Sequence, residues 1–186
     1  MKKILLITAM VLVTATAFGQ KFGRVSSTEL IQLCPEADQA RTTLQASSKE
    51  AQDTYQDMVD EFNKKYEAYQ SKQATMTESI KAAKEQELTE IQQRIQQFGQ
   101  NVQQELAAQE QKLFQPIMEK ANKAIEDLAK KNGLTAVFEE GSLPYIDKAQ
   151  VIDITPEARK IMGVKEGRTL ESLQQEMQAA AQAQAE

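Results

Sequence analysis

Few side chains in this sequence could do chemistry, and the first observation concerns residues that are missing. The sequence contains no histidine, which excludes imidazole metal sites, serine–histidine relays and histidine general bases. Its single cysteine, Cys34, has no second thiol with which to form an internal disulfide. Cys34 has a helical spacing with Leu30, Leu33 and Ala37, so we predict a small core residue in preference to a reactive thiol. No Walker loop, nucleophile elbow or acid/base pair stands out, and we expect no enzymatic activity, no cofactor and no metal.

A local excess of positive charge lies between residues 64 and 84. Five lysines stand there against two glutamates, Glu67 and Glu78, which gives a local net charge of +3. The whole chain carries a net charge of −5 at pH 7, so nucleic acid is a poor partner for it. The lysines could attract an acidic partner, or they could be a solvated helix face. They are Lys64, Lys65, Lys72, Lys81 and Lys84.

An eleven-residue repeat of apolar side chains indicates long helices, which would position the lysines. Eleven residues make three helical turns, so a stripe with this period stays on one side of a nearly straight long helix. From Glu36 to Lys131 the other positions are rich in Gln, Glu and Lys, with one Pro and one Gly. The pattern predicts long amphipathic helices and leaves no place for a catalytic cleft. The two series are Ile80, Ile91, Val102, Leu113 and Ala124, and Ile95, Leu106, Ile117 and Leu128.

The stretch 36–131 is too long for one ordinary globular helix, so we expect it to fold back as an antiparallel hairpin. Thr75 and Glu78 have the spacing of a capping box, which predicts a helix start near Thr75 and a hairpin tip near 71–79. The first arm carries an apolar stripe that needs an opposing stripe on the second arm. Its members are Ala37, Ala40, Leu44, Ala51, Tyr55, Met58, Phe62, Tyr66 and Tyr69, whereas Val59 and Met76 fall outside it.

Segments with a different period flank the hairpin. Residues 22–26, 134–139, 143–146 and 151–154 have the composition of short strands, and the three residues 140–142 between two of them have hairpin length. Gly133 suits a left-handed helix cap. Thr155 is predicted as the N-cap of a short helix that Gly163 ends. We therefore predict two halves of one small sheet on either side of the hairpin.

A β-rich body of this size is marginal alone, so we expect the chain to oligomerise. The lower second arm carries a second apolar face, as if it entered a shared core. We assign residues 20–35 and 132–163 to the body, 36–131 to the arm, and the Gln- and Ala-rich residues 164–186 to a tail that could form a frayed helix. The residues expected between copies are Phe22, Val25, Phe114, Met118, Ile125, Val137 and Tyr145.

Residues 1–19 have the layout of a secretory signal peptide. Lys2 and Lys3 precede an apolar run over 4–13, and the small residues Ala17 and Gly19 precede a cleavage site before Gln20. The competing interpretation, a membrane anchor, needs about 20 apolar residues, and this run is shorter. We expect cleavage, which removes Lys2 and Lys3 and takes the net charge from −5 to −7. We also expect a location outside the cytoplasm and no stable membrane insertion.

The order of these segments resembles the Skp/OmpH family of periplasmic chaperones, over nearly all of the chain from the cleavage site to about Gly163. The resemblance implies an α+β fold, predominantly α, in which a long antiparallel helical hairpin, a coiled-coil tentacle, projects from a small β-rich trimerisation body. It also implies an ATP-independent holdase that encloses unfolded outer-membrane β-barrel proteins. Its most specific part is Gly133-Leu134-Thr135-Ala136-Val137-Phe138-Glu139-Glu140, Pro144-Tyr145-Ile146-Asp147 and Val151-Ile152-Asp153-Ile154-Thr155.

Under this resemblance, the interior and tip of the arms would bind unfolded clients. The candidates are Met58, Val59, Tyr66, Tyr69 and Met76 together with the five lysines named above. Simple packing between the helices is the alternative for the aromatic residues, and a solvated face is the alternative for the lysines. A structural coiled-coil spacer or tether of the envelope is the alternative function, although the sequence shows no anchor or peptidoglycan-binding segment.

Overall fold

The structure, a computed structural model, describes residues 20–183. The described residues form two compact units: residues 32–119, which we call the hairpin unit, and residues 20–31 together with 120–183, which we call the sheet unit. The predicted signal peptide lies outside the described residues. The elements are β1 (Lys21–Val25), α1 (Ser27–Leu33), α2 (Pro35–Lys72), a 3₁₀ turn (Gln73–Thr75), α3 (Glu78–Asn132), β2 (Leu134–Glu139), β3 (Val151–Asp153), α4 (Thr155–Ile161) and α5 (Leu170–Ala183).

The hairpin unit contains α2 and most of α3, and the two helices run antiparallel. Tyr69, near the end of α2, hydrogen-bonds to Glu85, near the start of α3, at 2.5 Å. Ser47, nearer the start of α2, accepts a hydrogen bond from Gln109, much further along α3, at 3.1 Å. The end of α2 thus lies beside the start of α3, as antiparallel helices require. The predicted long antiparallel hairpin and the predominantly helical α+β fold are confirmed.

The first long helix begins where the sequence supplies favourable first-turn residues. Pro35 has a fixed φ that suits this position, and Glu36 and Asp38 place negative charge at the positive end of the helix dipole. Cys34 precedes the helix with extended backbone angles, φ −73° and ψ 154°. Its side chain is fully buried. The prediction of a small core residue is confirmed, although Cys34 lies between two helices and not inside one.

The turn between the long helices is built differently from the predicted capping box. The Thr75 hydroxyl donates to the Lys72 carbonyl at 3.0 Å and closes the 3₁₀ turn. The helix α3 begins only at Glu78, and the Thr77 carbonyl accepts from the Lys81 amide at 3.0 Å. The prediction that Thr75 caps this helix is therefore wrong, because the hydroxyl satisfies the end of the preceding helix.

The sheet unit is built around a three-stranded parallel sheet in the order β2-β1-β3. Phe22 on the central strand lies opposite Ala136 on β2 and Val151 on β3. The prediction that strands from both ends of the hairpin form one sheet is confirmed. Gly23 suits the central strand because a Cβ atom there would lie 2.6 Å from Cδ1 of Leu134.

The predicted strand over 143–146 is wrong, and so is the hairpin through residues 140–142. Parallel strands need a crossover connection, and the segment after β2 runs to β3 without pairing with β2. It begins with a turn in which the Ser142 amide donates to the Glu139 carbonyl at 3.1 Å. Pro144 has no backbone donor for a ladder, and Tyr145 is 81% exposed.

The core of the sheet unit combines β1 with short stretches of several helices. Gly133, at φ +64°, and Gly163, at φ +73°, end their helices as predicted. Thr155 is not an N-cap, because its hydroxyl accepts from the Ser26 amide at 3.1 Å. Residues 170–183 of the tail form the helix α5, with Leu173 buried. Buried core residues are Val25, Leu30, Ala121, Ala124, Leu128, Ile154, Ala158, Met162, Val164 and Leu173.

Candidate functional site

The apolar side chains of the hairpin are fully buried in two places. Near the tip, Tyr69 is 7% exposed and Leu88 and Ile91 are also buried; near the base, Ala37, Ala40 and Ile117 are buried. The Tyr69 hydroxyl donates to Glu85 and accepts from the Gln73 side-chain amide at 2.9 Å. The hydrogen bond to the Glu85 carboxylate raises the pKa of the Tyr69 hydroxyl, since the carboxylate holds the phenolic proton. Tyr69 is therefore mainly a packing residue of the seam.

The other predicted arm residues keep part of their side chains accessible. Tyr66 is 42% exposed and stacks on Phe62, with ring centroids 5.9 Å apart and planes 10° apart. Met58, Val59 and Met76 are half-buried. The hairpin thus presents thioether and aromatic surface from residue 58 to residue 76. Such side chains can make adaptable apolar contacts.

The tip lysines differ in how far neighbouring carboxylates compensate them. Lys81 pairs with Glu78 at 2.9 Å, Lys84 pairs with Glu87 at 2.8 Å, and Lys65 also pairs with Glu87 across the hairpin. Lys64 and Lys72 are exposed, and within residues 20–183 neither forms an ion pair. The uncompensated positive charge of the tip therefore comes from these two lysines.

Glu87 links the two arms, and we expect its charge to make the hairpin sensitive to acid. Hydrogen bonds from Lys65 and Lys84 lower the pKa of Glu87 from 4.5 to about 2. Because the folded-state pKa lies below the unfolded value, the contribution to stability is fully present above about pH 4.5 and is lost as the pH falls towards about 2.

Replacing Glu87 by Gln should therefore flatten the stability profile in that window, measured by denaturant unfolding at a series of pH values. Glu90→Gln is the matched control, because the side chain of Glu90, among residues 20–183, accepts only from the Gln86 side chain on its own helix. Parallel pH profiles for the wild type and the Glu87 variant would show that this pair contributes nothing to the fold.

A groove of about 320 Å³ lies between the two helices further from the tip. Its apolar part is formed by Ala51, Phe98, Val102 and Leu106, all half-buried. Glu50 and Glu105 line it as well. The sequence pattern gave no sign of the groove, because it depends on which residues face each other across the hairpin.

The residues predicted at the contact between copies fall into three groups. Val25 is 3% exposed and belongs to the core of its own chain. Phe22, Val137, Phe114 and Ile125 are half-buried, and the Phe22 ring lies 5.8 Å from that of Phe138. Met118 is 41% exposed and Tyr145 is 81% exposed. Apart from Val25, these side chains retain surface with which a second copy could pack.

Arg24 is a structural centre that sequence reasoning missed. Its guanidinium pairs with Asp153 and with Glu140, the latter at 2.8 Å. Asp153 also accepts from the Thr155 amide at 2.9 Å. Arg24 thus joins the central strand to β3 and to the end of β2. An arginine inside an otherwise mostly apolar short strand was the available signal, but its partners lie more than a hundred residues away in sequence.

Neither a metal site nor a membrane span is found in the described part of the chain. No group of three or more Cys, Asp or Glu residues within 20–183 is placed to hold a metal ion. No helix among these residues is both long enough and apolar enough to cross a membrane.

Comparison with known proteins identifies a family. The OmpH-like outer membrane protein family matches residues 21–162, which leaves α5 outside the match. A crystal structure of an OmpH-like protein from Caulobacter crescentus, described as an outer membrane chaperone, has a similar fold. The TM-score is 0.68, with 15% sequence identity over 81% of this chain and 89% of that chain. At this identity the likeness concerns the fold alone. No curated protein matches the chain.

Proposed function

The chain belongs to the OmpH-like family of outer membrane proteins, and on that basis we propose that it is a periplasmic chaperone of the holdase type. It would enclose unfolded outer-membrane β-barrel proteins between helical arms, without ATP, and prevent their aggregation. The predicted signal peptide over 1–19 supports the periplasmic location. Its working form would be a homotrimer.

The observation that carries the proposal is the incompletely closed hairpin. A seam that served only to pair two helices would bury its apolar side chains along its whole length. Here the stripe residues Tyr55 and Tyr66 are exposed and Met58 is half-buried, so they keep accessible apolar surface on the hairpin. Diffuse contacts of this kind suit many sequences, whereas a tight pocket would select one.

The chemistry of the proposed clients fits such a surface. An unfolded barrel protein exposes alternating apolar side chains and unpaired strand edges, which aggregate until the barrel closes. A holdase must cover these groups and later release them. Many weak apolar contacts achieve both, because no single contact dominates the dissociation rate.

The alternative is a structural spacer or tether of the envelope. Co-elution from a sizing column separates the two functions. The holdase proposal predicts a complex with an outer-membrane β-barrel protein diluted from urea, and none with the same protein already folded in detergent. A tether would bind neither form, and that result would support the alternative.

The tip lysines should act on the rate of client capture. Reversing Lys64 and Lys72 to Glu should slow association with an acidic unfolded barrel protein by roughly threefold at low salt, since exposed charges steer encounter. The difference should shrink at physiological ionic strength, where the Debye length is about 8 Å. Stopped-flow fluorescence of a labelled client measures both rates.

Lys49 and Lys112 provide the control, because both are exposed in the hairpin unit but lie outside the tip. Reversing this pair changes the net charge by the same amount. Equal association rates for the two double variants at low salt would show that position on the hairpin does not matter and that the tip lysines are only a solvated face.

A further inference from the structure

We propose that the groove between α2 and α3 binds an aromatic side chain of an extended polypeptide that carries basic residues two positions away. The site would be a defined pocket within the otherwise diffuse arm surface. It deepens the proposed function and rests on it, because the polypeptide would be a segment of an unfolded client.

The groove exists because the first arm leaves space unfilled. Between Leu44 and Tyr55, α2 has only polar side chains and alanines. The facing part of α3 provides Phe98, Val102 and Leu106, which remain half-buried. Nearer the tip, by contrast, Ile91 of the same helix is 2% exposed. Apolar atoms therefore line a space that no side chain of the hairpin unit fills.

The volume suits one large side chain. The groove measures about 320 Å³, at the small end of the range for pockets that bind organic groups. An aromatic ring buries much area while losing little conformational entropy, and it can pack against the ring of Phe98. Barrel precursors are rich in such residues, since aromatic girdles border the membrane-facing band of the finished barrel.

The negative charge at the groove favours basic residues next to the aromatic residue in the bound polypeptide. Glu50 and Glu105 line it, one on each helix, and no lysine or arginine does among the described residues. Neither carboxylate forms an ion pair within residues 20–183. In an extended chain, residues two positions apart point to the same side, about 7 Å from each other. Basic side chains at the second position on either side of the aromatic residue would then face the two glutamates.

The probe for a test is a seven-residue peptide of serines with a central tryptophan and a lysine two positions away on each side. The protein contains no tryptophan, so the emission reports only the peptide. We expect saturable binding with a blue shift. The double change Ser47→Leu with Ala51→Leu, which fills the groove, should weaken binding at least about tenfold. Ala108→Leu, an exposed alanine outside the groove, should leave it unchanged.

A second pair of variants tests the charge without altering the volume. Glu50→Gln with Glu105→Gln should weaken binding of the lysine peptide by about fivefold. The same variant should bind a peptide with serine in place of both lysines as well as the wild type does. Filling the groove should raise the melting temperature, so loss of binding by the filled variant would not reflect unfolding.

Two results would overturn the proposal: no saturable binding, or equal binding by the wild type and the filled variant. A third result would also overturn the proposal: the peptide does not bind, and the filled variant has a different oligomeric mass from the wild type. The groove would then be a contact with a second copy of this chain. Protection of an unfolded barrel protein from aggregation, measured in parallel, separates the two proposals. Protection without peptide binding would contradict the groove proposal and support the holdase proposal. Peptide binding in the groove without protection would support the groove proposal and contradict the holdase proposal.

Discussion

Changing Phe114 and Met118 together to Asp is expected to convert the proposed homotrimer into single chains at micromolar concentration. Both residues lie on α3, where Met118 is 41% exposed and Phe114 is half-buried within one chain. If a neighbouring copy covers them, each introduced carboxylate would be buried without a partner. The effective penalty is several kcal/mol per ion even after relaxation, and it would apply in every subunit.

The control for this variant uses two exposed glutamines of the same helix, Gln111 and Gln115. Changing both to Asp adds the same charge and should leave the trimer intact. Sedimentation equilibrium gives the mass of each variant, and circular dichroism checks the helix content. A Phe114 and Met118 variant that remains fully trimeric would show that these residues do not lie in a shared core. A compact monomeric wild type would contradict the trimer itself.

Replacing Arg24 by Met is expected to lower the free energy of unfolding by about 2 kcal/mol. The Arg24 side chain is 17% exposed and neutralises both Asp153 and Glu140. Its loss would leave the partly buried Asp153 without a cation and would leave Glu140 with only the exposed Lys148. The estimate lies below the value for a fully buried pair because both carboxylates retain contact with water.

Lys148→Met is the control, because Lys148 also pairs with Glu140, at 3.3 Å, but its side chain is 67% exposed. This change should cost less than about 0.5 kcal/mol, as is usual for exposed ion pairs. Denaturant unfolding at neutral pH measures both variants. Equal losses for the two would show that Arg24 is an ordinary surface charge and not a centre of the sheet unit.

The helices were predictable because their signal is periodic in sequence. The eleven-residue series that includes Ile91 and Val102 requires only local geometry, and the helices extend over the residues that it covers. Three of the four predicted strands are also present, because strand composition, like helical periodicity, can be recognised from neighbouring residues. The wrong one, over 143–146, has suitable composition, but Pro144 has no backbone donor for a ladder and the segment forms no strand.

Features that depend on pairing over long sequence separations were not predictable. The parallel arrangement of β1 with its two neighbours, and the charges that surround Arg24, join residues from opposite ends of the chain. Thr75 and Thr155 were predicted as helix caps because they precede helical sequence. Their hydroxyls instead bond to Lys72 and Ser26, since a Thr hydroxyl takes the partner that the surrounding fold provides.

In the candidate site, too, local features were predictable from the sequence and contacts across the hairpin were not. The accessible Tyr66 and the exposed Lys64 could be chosen from the sequence, because helical spacing indicates which face a residue occupies. The partners of Lys65 could not, since Glu87 lies across the hairpin. The groove likewise requires the register of α2 against α3, which a single apolar stripe does not fix.

The most direct test of the holdase proposal is light scattering after an unfolded outer-membrane β-barrel protein is diluted from urea into buffer. With about one trimer of this protein for each client chain and no nucleotide, we predict that the scattering stays near its initial value. Added ATP should change nothing. Scattering that rises as fast with a severalfold excess of this protein as without it would contradict the proposed holdase function.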